Sequence, residues 1–300
     1  MAVASCRPPH RDPREPSIAA TPTVNDRPIG VFDSGLGGLT VLQALADLLP
    51  DEDLVYFGDT ARYPYGPRPA AQLRDFSHEI TEVLLDRGVK MVVVACNSAT
   101  AAALPDLRAR HDVPFVGVVE PGVRAAVKAT RTGRVGVIGT EMTARSRVYE
   151  VTAQRLRTGL DLHVAACPGF VELVEEGRTT GPRARRVVEG GLRDILATGI
   201  DTLVLGCTHY PLLARTISDV AGRDVTLVSS ADETAFEVRG ILERTGWGRV
   251  GGDPAEQRNA APARRTFLTS GDPARFARLG ERFLGWPLRD VQAHGWASVA

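Results

Sequence analysis

The sequence predicts an α/β protein of two pseudo-symmetric α/β domains with mainly parallel sheets, and it places an active site in the cleft between them. Three observations carry this expectation. Short Val- and Leu-rich runs alternate with helix-length amphipathic stretches, the pattern of buried parallel strands covered by helices. A set of landmarks recurs at a nearly constant offset. Two cysteines close corresponding apolar runs, in Ala95-Cys96-Asn97-Ser98-Ala99-Thr100 and Gly206-Cys207-Thr208-His209-Tyr210-Pro211.

In chain order, the strand candidates are Ile29–Phe32, Leu54–Phe57, Met91–Ala95, Phe115–Val119, Val135–Ile138, Leu162–Ala165, Leu203–Gly206 and Thr226–Val228. Between them, Leu39–Leu49, Ala70–Arg87, Thr100–Arg110 and Thr143–Arg157 have helix length and apolar residues at helical spacing. Gly246–Arg264 is rich in Gly, Pro, Ala and charge and reads as a loop. Phe267–Asp272 and Phe276–Leu284 then read as a last strand and helix packing back onto one half. Residues 1–27, rich in Pro, Arg, Asp and Thr, read as a disordered leader, with Cys6 incidental. The expected division is 28–122 plus about 230–285 for the first domain, 123–229 for the second, and 286–300 as a tail.

The repeat supports two related halves. Ile29-Gly30-Val31-Phe32-Asp33-Ser34 echoes Val135-Gly136-Val137-Ile138-Gly139-Thr140, 106 residues on. Asp53-Leu54 echoes Asp161-Leu162 at 108, Gly88-Val89-Lys90 echoes Gly199-Ile200-Asp201 at 111, and Val113 echoes Val225 at 112. Serial strand–helix units alone would produce some repetition on this scale. Four landmarks in the same order instead suggest a pseudo-twofold axis with the cysteine loops facing each other.

Composition bounds the function. The 300 residues carry 36 Lys and Arg against 36 Asp and Glu, a net charge of zero, which excludes the basic footprint of a nucleic-acid binder. No apolar run approaches the roughly 18 residues that span a membrane. Nothing in the leader has the apolar core of a secretory signal, and four cysteines make no disulfide framework. A cytoplasmic protein with reduced thiols is the expectation.

Ligands of open parallel sheets bind at the carboxyl ends of the strands, where every polar cluster here falls. Asp33-Ser34-Gly35-Leu36-Gly37-Gly38 offers free backbone N–H groups to an anion; a phosphate is one reading, although the nucleotide-binding ending is absent, and a carboxylate is another. Gly58-Asp59-Thr60 through Pro64-Tyr65-Gly66 is a loop near the ligand or simply a turn. Cys96 and Cys207 are either small buried hydrophobes or reactive thiols at helix starts. Zinc ligation by Cys96, Cys207 and His209 lacks the usual short spacing, and a thiol redox site lacks CxxC. Cys167 has no such polar neighbours and reads as structural. His209, two residues after Cys207, is placed to hand protons to it, with Asp33 in the matching role for Cys96. Two thiols flanking one ligand suit removal of a proton beside a carboxylate and its return on the opposite face, because a free thiol titrates at roughly 8.5 and can serve either role. No cofactor fingerprint is evident.

These motifs closely resemble those of the glutamate racemases, within the wider aspartate/glutamate racemase superfamily. The resemblance rests on Phe32–Val41, Tyr56–Thr60 with Pro64-Tyr65-Gly66, Ala95–Thr100, Val135–Thr140, Phe170–Gly177, Gly206–Leu212 and Phe267–Asp272, and it runs from about Ile29 to about Gly285. It implies cofactor-independent interconversion of L- and D-glutamate, with D-glutamate feeding peptidoglycan synthesis, and a homodimer. Cys96 and Cys207 become the two acid/base residues, with Asp33 and His209 as helpers. Asp33, Ser34, Tyr65, Gly66, Asn97, Ser98, Thr208 and His209 become the substrate contacts, with Thr140 and Glu150 as further contributors. Ser98 stands where many members carry Thr, which keeps the hydroxyl. Racemisation of aspartate, or amino-acid binding without catalysis, are the competing readings; the second has no use for paired cysteines.

Overall fold

The structure is a computed structural model that describes residues 25–249 and 262–296. The leader up to residue 24, with Cys6, and most of the Gly246–Arg264 loop lie outside the described residues.

Two parallel sheets organise the fold. The first has the order β10-β9-β2-β1-β3-β4, from β1 (Ile29–Asp33), β2 (Leu54–Gly58), β3 (Met91–Val94), β4 (Phe115–Gly117), β9 (Arg265–Thr269) and β10 (Gln292–Ala293). The second has the order β6-β5-β7-β8, from β5 (Arg134–Gly139), β6 (Asp161–Ala166), β7 (Thr202–Gly206) and β8 (Thr226–Val228). Every strand pair in both is parallel.

The repeat reaches down to register. Ile29 of β1 pairs with Leu54 and Met91, and Val135 of β5 pairs with Leu162 and Thr202. Phe32 then meets Val94 as Ile138 meets Leu205. Cys96 and Cys207 each lie two residues beyond those partners, so they leave equivalent strand ends.

Period-2 alternation sends Ile29 and Val31 to one face of the first sheet and Phe32 to the other. The first face packs against α1 (Leu39–Leu48), α10 (Ala231–Thr245) and α11 (Pro273–Leu284). The second packs against α2 (Ala70–Asp86) and α3 (Asn97–Arg110). The second sheet is covered by α4 (Val119–Ala129) and α6 (Val148–Arg155) on one face. Its other face holds α7 (Phe170–Glu175), α8 (Gly181–Leu196) and α9 (Ala214–Ala221).

Four sequence expectations are adjusted. The strand expected over Phe115–Val119 ends at Gly117, and Val119 opens α4. A boundary between 122 and 123 falls inside α4, whose Val119, Val123 and Ala126 pack with Val135, Val137 and Val204 of the second half. The single helix expected over Thr143–Arg157 is two, α5 (Glu141–Ser146) and α6, because Arg147 adopts a left-handed conformation at φ 54°. Ser146 Oγ donates to the Thr143 carbonyl at 2.6 Å and accepts the Val148 N–H at 3.2 Å, offering the backbone local bonds in place of the helix ladder. Part of the 286–300 tail joins the first sheet, where Gln292 and Ala293 pair with Leu268 and Thr269.

The amino ends of the sheets are tied down by opposite charges at corresponding positions. Lys90, fully buried before β3, donates from Nζ to Glu52 Oε2 at 2.5 Å and to the carbonyls of Asn25 and Trp247, both at 2.8 Å. Asp201, before β7, accepts from Thr130 Oγ1 at 2.6 Å and from the N–H groups of Arg131 and Thr132 at 2.8 and 2.7 Å. Removing one member of a buried pair strands the other, so Lys90→Ala should cost about 3–5 kcal/mol. A urea midpoint equal to that of the parent protein would contradict this.

Candidate active site

The carboxyl ends of both sheets face one cavity with an internal volume of about 140 Å³. Cys96 and Cys207 both line it. Of the other expected contacts, Ser34, Tyr65, Gly66, Asn97, Ser98 and Thr208 line it as well, together with His209 and Thr140.

Asp33 ends β1 beneath this surface. It is fully buried and does not line the cavity. Its Oδ2 accepts the Gly35 N–H at 3.0 Å and its Oδ1 accepts the Thr208 hydroxyl at 3.3 Å, a bond that joins the two halves. Gly37 permits that approach: a Cβ there would lie 2.4 Å from Thr208 Oγ1 and 2.5 Å from His209 Nδ1.

Cys96 is the residue that precedes α3, as its N-cap. Its thiol donates to Ser34 Oγ at 3.8 Å, so Ser34 rather than Asp33 is its hydrogen-bond partner. Burial, followed by the Asp33 charge, pushes this thiol well above the ordinary range and favours the protonated form.

Cys207 sits in a different environment. Its sulfur lies 3.9 Å from His209 Nδ1, and His209 Nε2 lies 2.9 Å from Glu175 Oε1. Burial acts to lower the histidine's pKa, but hydrogen bonds to Cys207 and Glu175 outweigh it and raise the value to about 10. The imidazole is therefore held as a cation, and a negative sulfur beside it would be paired. A short 3-10 turn, Tyr210–Leu213, separates this loop from α9, so the α-helix start expected at Cys207 comes seven residues later, at Ala214.

Asn97 opens α3, and its Oδ1 accepts the Tyr149 hydroxyl at 2.8 Å from across the cleft. Its buried Nδ2 has no hydrogen-bond partner among the described residues, leaving a donor beside the cavity. Ser98 and Thr140 share a hydroxyl hydrogen bond of 2.9 Å. Glu150 does not line the cavity; its Oε1 lies 3.6 Å from Arg147 Nε. Cys167 is buried, as a structural residue would be, yet it lines the cavity; burial pushes its thiol up to about 12.

The sequence reading missed Glu175 and Tyr149. A signal for Glu175 existed: Glu172 and Glu175 lie three apart on α7, on one helix face, and Glu172 lines the cavity. Tyr149 gave none, because its reach to Asn97 depends on the break at Arg147. Among the described residues, no group of three or more His, Cys, Asp and Glu is arranged to hold a metal, so the zinc set considered above is not assembled. Nor, among them, is any helix long and apolar enough to cross a membrane.

Comparison with known proteins bears on this site. Residues 29–237 match the model of the Asp/Glu/hydantoin racemase family. A glutamate racemase of Beutenbergia cavernae is 53% identical over 276 residues, covering 89% of this chain and 93% of the relative. The crystal structure of a glutamate racemase isoform from Bacillus anthracis superposes with a TM-score of 0.81 at 38% identity, covering 91% of this chain and 98% of that one. The glutamate racemase of Francisella tularensis, solved in complex with D-glutamate, superposes with a TM-score of 0.80 at 30% identity, covering 90% and 98%.

Proposed function

The chain belongs to the Asp/Glu/hydantoin racemase family, and we propose that it is a cofactor-independent glutamate racemase working by proton transfer between two cysteines. The observation that carries the reading is the sharing of one cavity by Cys96 and Cys207, which leave equivalent strand ends of two related sheets. Relatives about half identical over most of their length point to the same substrate.

The two thiols differ in the way such a reaction needs. Removal of the α-proton requires a base on one face of the carbon, and its replacement requires an acid on the other. Cys207, 3.9 Å from a His209 that Glu175 braces, is the sulfur placed to act as base, with a partner for the charge it would carry. Cys96, buried and bonded to the Ser34 hydroxyl, is suited to begin as thiol. One turnover exchanges these protonation states, and the reverse reaction starts from the exchanged form. The substrate α-carboxylate has an unpartnered donor in Asn97 Nδ2 and a further hydroxyl in Ser98. Deprotonation next to a carboxylate builds negative charge, which pre-placed donors stabilise without reorganising.

In the cell this activity would supply D-glutamate for peptidoglycan, in the cytoplasm and from a homodimer. The test is polarimetry on purified protein without added cofactor, with L-glutamate and L-aspartate in parallel. L-glutamate should lose its optical rotation far faster than L-aspartate. Preference for aspartate would replace the substrate, and no change with either would remove the activity.

A further inference from the structure

We propose that the segment His294–Trp296 is a positioning element of the glutamate site, acting through Asp59 on the cavity wall made by Tyr65 and Gly66; the inference rests on the racemase reading above. Asp59 follows β2 and is fully buried. A buried carboxylate is costly unless its oxygens are saturated by donors. Here four side chains from three segments supply them. Oδ2 accepts from the Tyr65 hydroxyl and from Arg62 Nε at 2.7 Å. Oδ1 accepts from Ser270 Oγ at 2.7 Å and from Trp296 Nε1 at 2.9 Å.

Trp296 grips the same hub a second time. The Arg62 guanidinium lies between two rings, 3.7 Å from the Trp296 centroid and 4.0 Å from that of Phe76, and also pairs with Glu79. The segment is seated on the sheet: the His294 N–H donates to the Thr269 carbonyl at 2.8 Å, and the Trp296 ring packs on Phe57 with centroids 5.4 Å apart.

From this hub the contacts run on to the substrate cavity. Tyr65, held by Asp59, lines it. The Gly66 carbonyl accepts the Met142 N–H at 3.0 Å from the second half. Gly66 lies so close to Thr140 that an added Cβ would be 3.0 Å from its Cβ, and Thr140 bonds Ser98. Trp296 thus holds one wall of the cavity, while Cys96 bonds Ser34, Cys207 meets His209 and His209 bonds Glu175, contacts that pass through neither Asp59 nor Arg62. Loosening the wall should weaken substrate binding more than it slows proton transfer.

The test compares Trp296→Ala and Trp296→Phe with the parent protein by steady-state racemisation of glutamate and by calorimetric titration with D-glutamate. Trp296→Ala should raise KM by about tenfold or more, the effect of losing one hydrogen bond to a buried charge, with kcat held within about threefold. Trp296→Phe keeps a ring for Arg62 but no N–H for Asp59, and its KM should lie between the two. The calorimetric affinity should fall in the same order. A destabilised fold alone would lower the active fraction and leave KM in place. If Trp296→Ala does not accumulate as folded protein, Trp296→Phe decides: a KM raised about threefold or more supports the proposal. An unchanged KM in the folded variant, or a fall in kcat alone, overturns it. A parent protein that racemises glutamate while the variants bind it equally well overturns this inference and spares the functional reading. A parent protein that neither binds nor racemises glutamate overturns both.

Discussion

Cys96→Ser and Cys207→Ser should each lower racemisation of glutamate by about three orders of magnitude, in both directions, within the range that a positioned acid or base contributes. Each direction needs one sulfur as base and the other as acid, so neither variant should retain one direction only. Serine fills the space of a cysteine that is almost fully buried, at 5% exposure for Cys96 and 6% for Cys207, so the fold should be retained. Its hydroxyl is a far weaker acid than a thiol and is not ionised beside His209. The residual chemistry should be complementary. With Cys207 intact, the Cys96 variant should exchange the α-proton of one enantiomer with solvent, and the Cys207 variant that of the other. Chiral chromatography with mass detection reads both quantities. Near-parent turnover in either variant would remove that sulfur from the mechanism.

Glu175→Gln should lower kcat/KM near neutral pH by about 10- to 100-fold, the effect of weakening a hydrogen bond to a buried charge, and should shift the alkaline limb of the pH profile downward. His209 has a folded pKa of about 10, above the ordinary 6.5, held there against burial by Cys207 and Glu175. A raised folded pKa means that the charged imidazole stabilises the fold fully below about pH 6.5, and that this contribution disappears as pH rises through about 10. Activity that needs the cation should fall over the same alkaline range. Glutamine keeps an acceptor for His209 Nε2 but removes the negative charge, so burial gains weight and the histidine titrates lower. A kcat/KM profile for Glu175→Gln that superimposes on the parent profile would show that Glu175 does not set the state of His209.

Much of this was legible in the sequence because the physical signals were local. Runs such as Met91–Val94 and Leu203–Leu205 are too short and too apolar for anything but strands buried on both faces. Their shared offset carried Cys96 and Cys207 to matching ends. What escaped depended on distant parts of the chain. The left-handed turn at Arg147 has no glycine to mark it, yet it swings Tyr149 toward Asn97. The surroundings of Asp33 also join distant segments: the close approach allowed at Gly37 gives Thr208 its Oδ1, and Ser34 meets the Cys96 thiol. Trp296 lies beyond the motifs, and the pairing of β10 with β9, together with the packing of its ring on Phe57, brings it to Asp59.

The central claim is a proton taken from one face of the α-carbon and returned on the other by two different thiols. It is tested most directly by following L-glutamate in deuterated water, without added cofactor, over the first few per cent of conversion. The D-glutamate formed should carry deuterium at the α-carbon, while the recovered L-glutamate keeps its protium. Recovered L-glutamate that gains deuterium as fast as D-glutamate appears, or D-glutamate that keeps the original protium, would contradict it.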